Sequence, residues 1–186
     1  QLAPAVDRLS ATQLREGRKP VESPMLSLRR HADPEKNLAI ARAWSHSLAE
    51  RVLRMPDRPC FTHRPRVGQP SIRVGYISRD FKDHAVAHHL LGLLRAHDRS
   101  RFSIYLYACN PEDSSDYRPK LVQACNHFVQ IDRWSDTAAA QRIYDDRIDI
   151  LVDLMGHTQG SRLEILAMRP APVQVSYLGF LGTGGA

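Results

Sequence analysis

The chain has 186 residues, of which 42% are hydrophobic and 25% charged; that is enough to close one core and excludes a disordered, collagen-like or disulfide-stapled polypeptide. No stretch approaches the roughly 18 uncharged apolar residues of a membrane span, and Gln1 opens no signal-peptide pattern. The net charge of +6 is uneven: residues 1–70 hold 13 basic and 7 acidic side chains, whereas residues 71–186 hold 13 of each.

A break near residue 70 divides the chain into a helical linker segment, 1–70, and a second unit, 71–186. In the first, a helix is expected from Pro4 to Arg15. A second begins at Asp33-Pro34, where Asp33 caps free N–H groups and Pro34 suits the first turn. It runs to about Leu53, and Ile40, Trp44, Leu48 and Val52 recur every fourth residue to form a stripe that must dock on something. Residues 55–70 carry Pro56, Pro59, Pro65 and Pro70 among basic side chains and read as a linker. Arg8, Arg15, Arg18, Lys19, Arg29 and Arg30 are scattered through this segment. They form no concentrated reading element, so a solvated helical surface is favoured over nucleic-acid binding. Cys60, Cys109 and Cys125 show no CxxC spacing, which discourages a disulfide framework or a thiolate metal site and fits a reducing cytoplasm.

After residue 70 the period changes. Short β-rich runs at Ile72–Ser78, Phe102–Cys109, His127–Asp132, Ile148–Leu154 and Val173–Leu178 alternate with helical patterns at 85–97, 116–125, 135–146 and 161–168. Such alternation implies βαβ units, hence an α/β fold with a Rossmann-like, doubly wound, mainly parallel sheet. Ligands of such sheets sit beyond the carboxyl ends of the strands, so the five loops beginning at Arg79, Asn110, Arg133, Met155 and Gly179 are the places to look for function.

The first loop, Arg79-Asp80-Phe81-Lys82-Asp83-His84, leads directly into an apolar helix. His84 at that helix start is expected to be neutral, because the helix dipole disfavours an imidazolium there. It could take up a proton, or donate a hydrogen bond to a phosphate oxygen or hydroxyl, with Asp80 or Asp83 fixing its tautomer. A merely capping or exposed histidine satisfies the same pattern. His84 and His88 stand at i and i+4, yet HExxH is absent, so no metal site is expected, and His88 and His89 are assigned to the packing surface of the helix with Leu90, Leu91, Leu93 and Leu94. The fourth loop, Gly156 to Arg162, combines two glycines with His157, Thr158 and Ser161, which place donors around one cleft position. The fifth, Gly179 to Gly185, is glycine-rich without matching a known phosphate-loop spacing.

RVGYISRDFKDHAVAHHLL (Arg73 to Leu91), LVDLMGHTQGSRLEILAMRPAPVQVSYLGF (Leu151 to Phe180) and the closing GTGGA together resemble the N-terminal catalytic half of the O-GlcNAc transferase family, with its bacterial and SPINDLY-like members. Residues 22–53 resemble, more loosely, the linker that follows tetratricopeptide repeats in that family; no 34-residue repeat is visible here. The resemblance implies the N-terminal lobe of a GT-B glycosyltransferase, which needs a second lobe to complete its cleft. It also implies no cofactor, no metal, and inverting transfer of N-acetylglucosamine from UDP-GlcNAc to serine or threonine hydroxyls of protein acceptors. By the same resemblance His84 is the catalytic candidate, with Gly156, His157, Thr158, Gly182, Thr183 and Gly184 as substrate-binding candidates, to which Asp80 is added for its place beside His84 in the first loop. Ala85, Ser176-Tyr177 and Leu181 depart from the family's usual proline, tryptophan and proline. The implied partners are nucleotide sugar, protein acceptors, a C-terminal lobe and an N-terminal tetratricopeptide array, with neither nucleic acid nor membrane. Without the second lobe the chain is expected to be catalytically silent. Two other readings remain open at this stage: transfer of fucose from GDP-fucose, as in SPINDLY-like relatives, and a non-catalytic protein-docking module.

Overall fold

A computed structural model describes residues 2–64 and 68–185. Three helices lead: α1 (Leu2–Arg15), α2 (Pro24–Arg30) and α3 (Pro34–Leu53). Then strands and helices alternate as β1 (Ile72–Ser78), α4 (Ala85–Ala96), β2 (Phe102–Ala108), α5 (Tyr117–Gln123), β3 (His127–Gln130), α6 (Asp136–Asp145), β4 (Ile150–Asp153), α7 (Leu163–Ala167) and β5 (Val173–Ser176). All adjacent strands pair parallel, in the order β3-β2-β1-β4-β5. The chain runs outward from β1 to β3 on one side and returns to β4 on the other. The crevice between the β1 and β4 exits is therefore the topological switch point, where doubly wound sheets bind ligands.

The two-residue side-chain period sends alternate strand residues to opposite faces. Val74, Tyr76, Ile104, Leu106 and Val152 meet Leu90, Leu94 and Leu121 of α4 and α5 on one face. Ile77, Tyr105, Tyr107 and Leu151 meet Ala139, Ala140 and Ile143 of α6 and Ile165 of α7 on the other. Gly75 is required on the second face, because a Cβ there would stand 2.9 Å from the Tyr107 ring.

The leading helices are tied to one another and to the sheet. Asp33 caps α3 through bonds from the Glu35 and Lys36 N–H groups, and Val52 near its end is buried in the second core. Trp44 Nε1 donates to the carbonyls of Pro20 and Glu22. Arg30 was expected to be solvated; it is instead largely buried, paired with Glu22 at 2.6 Å and Asp7 at 3.0 Å, because these carboxylates converge where α1, α2 and α3 meet. Helix α2 was not expected at all: Ser23 caps it and Pro24 opens it, but seven residues are too few to show a periodic stripe. Among the described residues no helix is long and apolar enough to cross a membrane.

Candidate active site at the β1–β4 switch point

β1 and β4 end side by side, with Ile77 paired to Asp153. The loop after β1 is anchored by Phe81, which is fully buried and tilted against Phe128. Asn110, at the exit of β2, donates to the Phe81 carbonyl. Ser78 Oγ accepts from the Asp80 N–H at 2.9 Å, which bends the chain immediately after the strand.

His84 is the N-cap of α4, with extended backbone. Its Nδ1 accepts from the Val86 N–H at 3.2 Å, and its side chain is 43% exposed. Asp80 lies 3.7 Å from the same nitrogen, beyond hydrogen-bond length, so the Val86 amide rather than a carboxylate sets the tautomer. An N–H aimed at Nδ1 requires a lone pair there, so the neutral ring carries its proton on Nε2. The free edge of His84 is thus a donor. Asp83 is engaged elsewhere, with His88 Nε2 at 2.6 Å.

His88 and His89 do not belong to the packed face of α4. Both are exposed, and His88 stacks on Tyr117 with ring centroids 4.2 Å apart. The buried face consists of Val86, Ala87, Leu90, Leu91 and Leu94, and the histidines fall on its flank.

The loop after β4 is organised by Asp153, a residue sequence reasoning did not single out. Its two carboxylate oxygens accept from the N–H groups of Met155 at 2.9 Å and Gly156 at 2.8 Å. Burial pushes this carboxyl above its ordinary value, while the two N–H donors pull the other way. Its signal was an acidic residue at the end of an otherwise apolar strand. Gly156 takes φ +54°, and a Cβ there would run into Phe180. Thr158 Oγ1 donates to the Met155 carbonyl at 2.8 Å.

His157 and the last loop point toward the leading helices instead. His157 Nε2 lies 3.0 Å from the Gly184 carbonyl, to which Ser45 of α3 also donates, and its ring stands edge-on to Phe180. Gly182 rests against Leu28 of α2, and Thr183 Oγ1 accepts from the Gly185 N–H. The structure thus gathers Asp80, His84, Gly156 and Thr158 on the two loops flanking the switch point. Gly182, Thr183, Gly184 and His157 form a second group against α2 and α3.

Burial pushes the Cys109 thiol up to about 12, which keeps it protonated and unreactive. A cavity of about 810 Å3 lies at the opposite, amino-terminal edge of the sheet, lined by His63, Tyr144, Asp145 and Pro172 among others, away from these loops. Asp7, Glu22 and His31 offer ligand atoms within 4.8 Å of one another, but Arg30 and Lys36 already pair with their carboxylates.

Comparison with known proteins identifies relatives of the chain. Over 134 residues the chain is 38% identical to the Arabidopsis thaliana protein named "Probable UDP-N-acetylglucosamine--peptide N-acetylglucosaminyltransferase SEC", covering 69% of this chain and 14% of that one. Over 116 residues it is 40% identical to a Caenorhabditis elegans UDP-N-acetylglucosamine--peptide N-acetylglucosaminyltransferase, covering 62% of this chain and 10% of that one. A solved mutant of the Thermobaculum terrenum O-GlcNAc transferase superposes with a TM-score of 0.75 at 30% identity, covering 87% of this chain and 30% of its own. The chain therefore spans a small fraction of the length of its relatives. Residues 6–186 match glycosyl transferase family 41, and the chain, a Rossmann-like half with its candidate site at the switch point, belongs to that family.

Proposed function

We propose that this chain forms the first lobe of a GT-B enzyme that transfers N-acetylglucosamine from UDP-GlcNAc to serine or threonine hydroxyls of proteins, with inversion, once a second lobe closes over the switch point. The observation that carries this reading is His84. It caps α4 at the exit of β1 with Nδ1 committed to the Val86 N–H and its side chain 43% exposed.

In this role Nε2–H donates to oxygen as negative charge develops on the leaving diphosphate. A fixed donor aimed at that charge stabilises the transition state without reorganising. With Nδ1 occupied, His84 acts as a hydrogen-bond donor rather than as the base. The reaction needs no metal, because N–H donors and basic side chains meet the charge of the diphosphate. Three free cysteines fit a reducing cytoplasm.

The test uses a polypeptide that joins this chain to its second lobe. His84→Ala should lower kcat by about a hundredfold, as loss of one preorganised donor does, while the lost cap of α4 lowers the melting temperature by only a few degrees and leaves the protein folded at the assay temperature. His84→Gln, which retains an N–H donor, should recover part of the loss, and EDTA should leave the wild-type rate unchanged. Equal activity of wild type and His84→Ala would overturn the assignment.

A further inference from the structure

Three carboxylates along the carboxyl edge of the sheet are already engaged. Asp83 holds His88, Asp136 holds Arg162 at 2.7 Å, and Asp153 holds two backbone N–H groups. Asp80 leans toward His84 at 3.7 Å. Against this background Arg79, the first residue after β1, makes no ion pair among the described residues; only its backbone N–H is bonded, to Met155 Sδ at 3.4 Å. Its side chain is exposed and lies across the loop that follows β4.

The crossing passes over Gly160. That residue sits at φ +79°, and a Cβ on it would collide with the Arg79 guanidinium. The left-handed backbone and the missing side chain together leave the guanidinium a seat between the first and fourth loops, on the switch point itself. An exposed guanidinium lying there, with no ion pair among the described residues, presents a planar fork of donors suited to carboxylate or phosphate oxygens.

We infer that Arg79, seated on Gly160, is an oxyanion-binding residue of the cleft, distinct from His84. The inference rests on the function proposed above. It takes a ligand oxyanion that arrives either on the donor diphosphate or on an acidic side chain flanking the acceptor hydroxyl.

The two sources separate in one experiment on the polypeptide carrying both lobes. Calorimetry gives the Kd for UDP, and kinetics give KM for two acceptor peptides that differ only in having glutamate or glutamine beside the serine. Loss of one charge-assisted contact in Arg79→Gln should weaken its own partner about tenfold. A rise in the UDP Kd assigns the diphosphate; a rise in KM for the glutamate peptide alone assigns the acceptor. Arg79→Lys should restore part of either effect. Unchanged UDP affinity together with unchanged KM for both peptides in a folded Arg79→Gln protein would overturn the inference. Failure of the wild-type protein to transfer N-acetylglucosamine would instead overturn the proposed function, and UDP binding would still report on Arg79.

Discussion

At the carboxyl end of α4, His97 Nε2 lies 2.8 Å from the Tyr76 hydroxyl, and the ring tilts against Phe102. Burial, aided by the nearby Arg99 charge, holds the imidazole below its ordinary 6.5. The unfolded chain therefore binds a proton more readily than the folded one in the window between that lowered value and 6.5. The stability this site contributes is complete above 6.5 and is lost as pH falls through the window. Tyr76 shows the complementary effect: burial raises its phenol to about 12, so the hydroxyl stays a donor and the neutral imidazole its acceptor. Urea denaturation at about pH 5 and about pH 7.5 should show wild type losing stability at the acid end. His97→Gln, which keeps an acceptor for Tyr76 but cannot titrate, should flatten the difference; an identical acid loss in both proteins would place its origin elsewhere.

The elements themselves differ in how plainly their residues announce them. The β-rich runs were legible because each is bounded by turn residues and separated by a helical pattern, and all five appear in the sheet. Their ends were not: β4 was expected from Ile148 to Leu154 and spans Ile150–Asp153, since pairing with neighbours rather than local propensity decides where a strand stops. The segment ending in His84 was legible as a helix start, but the partner of its Nδ1 was not, because an amide two residues on competes with carboxylates whose placement only the folded loop defines. Arg79 on Gly160 was illegible for the same reason: it joins positions 81 residues apart. Gly75 is a further long-range constraint, set by Tyr107 of β2, Ile148 and Leu151. Gly75→Ala inserts a methyl against these three side chains in a closed core, and overpacking of this kind costs about 1–3 kcal/mol. Chemical denaturation of the 186-residue chain should show that loss with the slope unchanged, whereas Gly92→Ala, where nothing lies within 4 Å of the new methyl, should be neutral or stabilising in mid-helix.

For the molecule as a whole, the two faces of the sheet are not covered equally. Helices α4 and α5 cover β1, β2 and β3 on one face, and α3, α6 and α7 serve the other. On the first face Val173 and Val175 pair in register with Ile150 and Val152, yet they are 49% and 43% exposed, and Tyr177 beyond them is 48% exposed. β5 is also an edge strand, so its outer backbone groups offer a template for another strand. An apolar alternation beside an open edge is the combination that soluble domains ordinarily suppress by charge or by cover. The 186-residue chain on its own should therefore bind an apolar dye such as ANS and associate as its concentration rises, while its far-ultraviolet spectrum stays native. Placing charge on that face with Val175→Lys, a half-exposed position outside the buried cores, should reduce both dye binding and association in sedimentation experiments and leave urea stability nearly unchanged. A wild-type chain that stays monomeric and dye-free at high concentration would mean that the face is less apolar in solution than its side chains imply. The same substitution in a polypeptide carrying the second lobe separates two uses of the surface: a fall in stability there, absent from the short chain, would show that further parts of that polypeptide close over β5, and no fall would show that they leave it open.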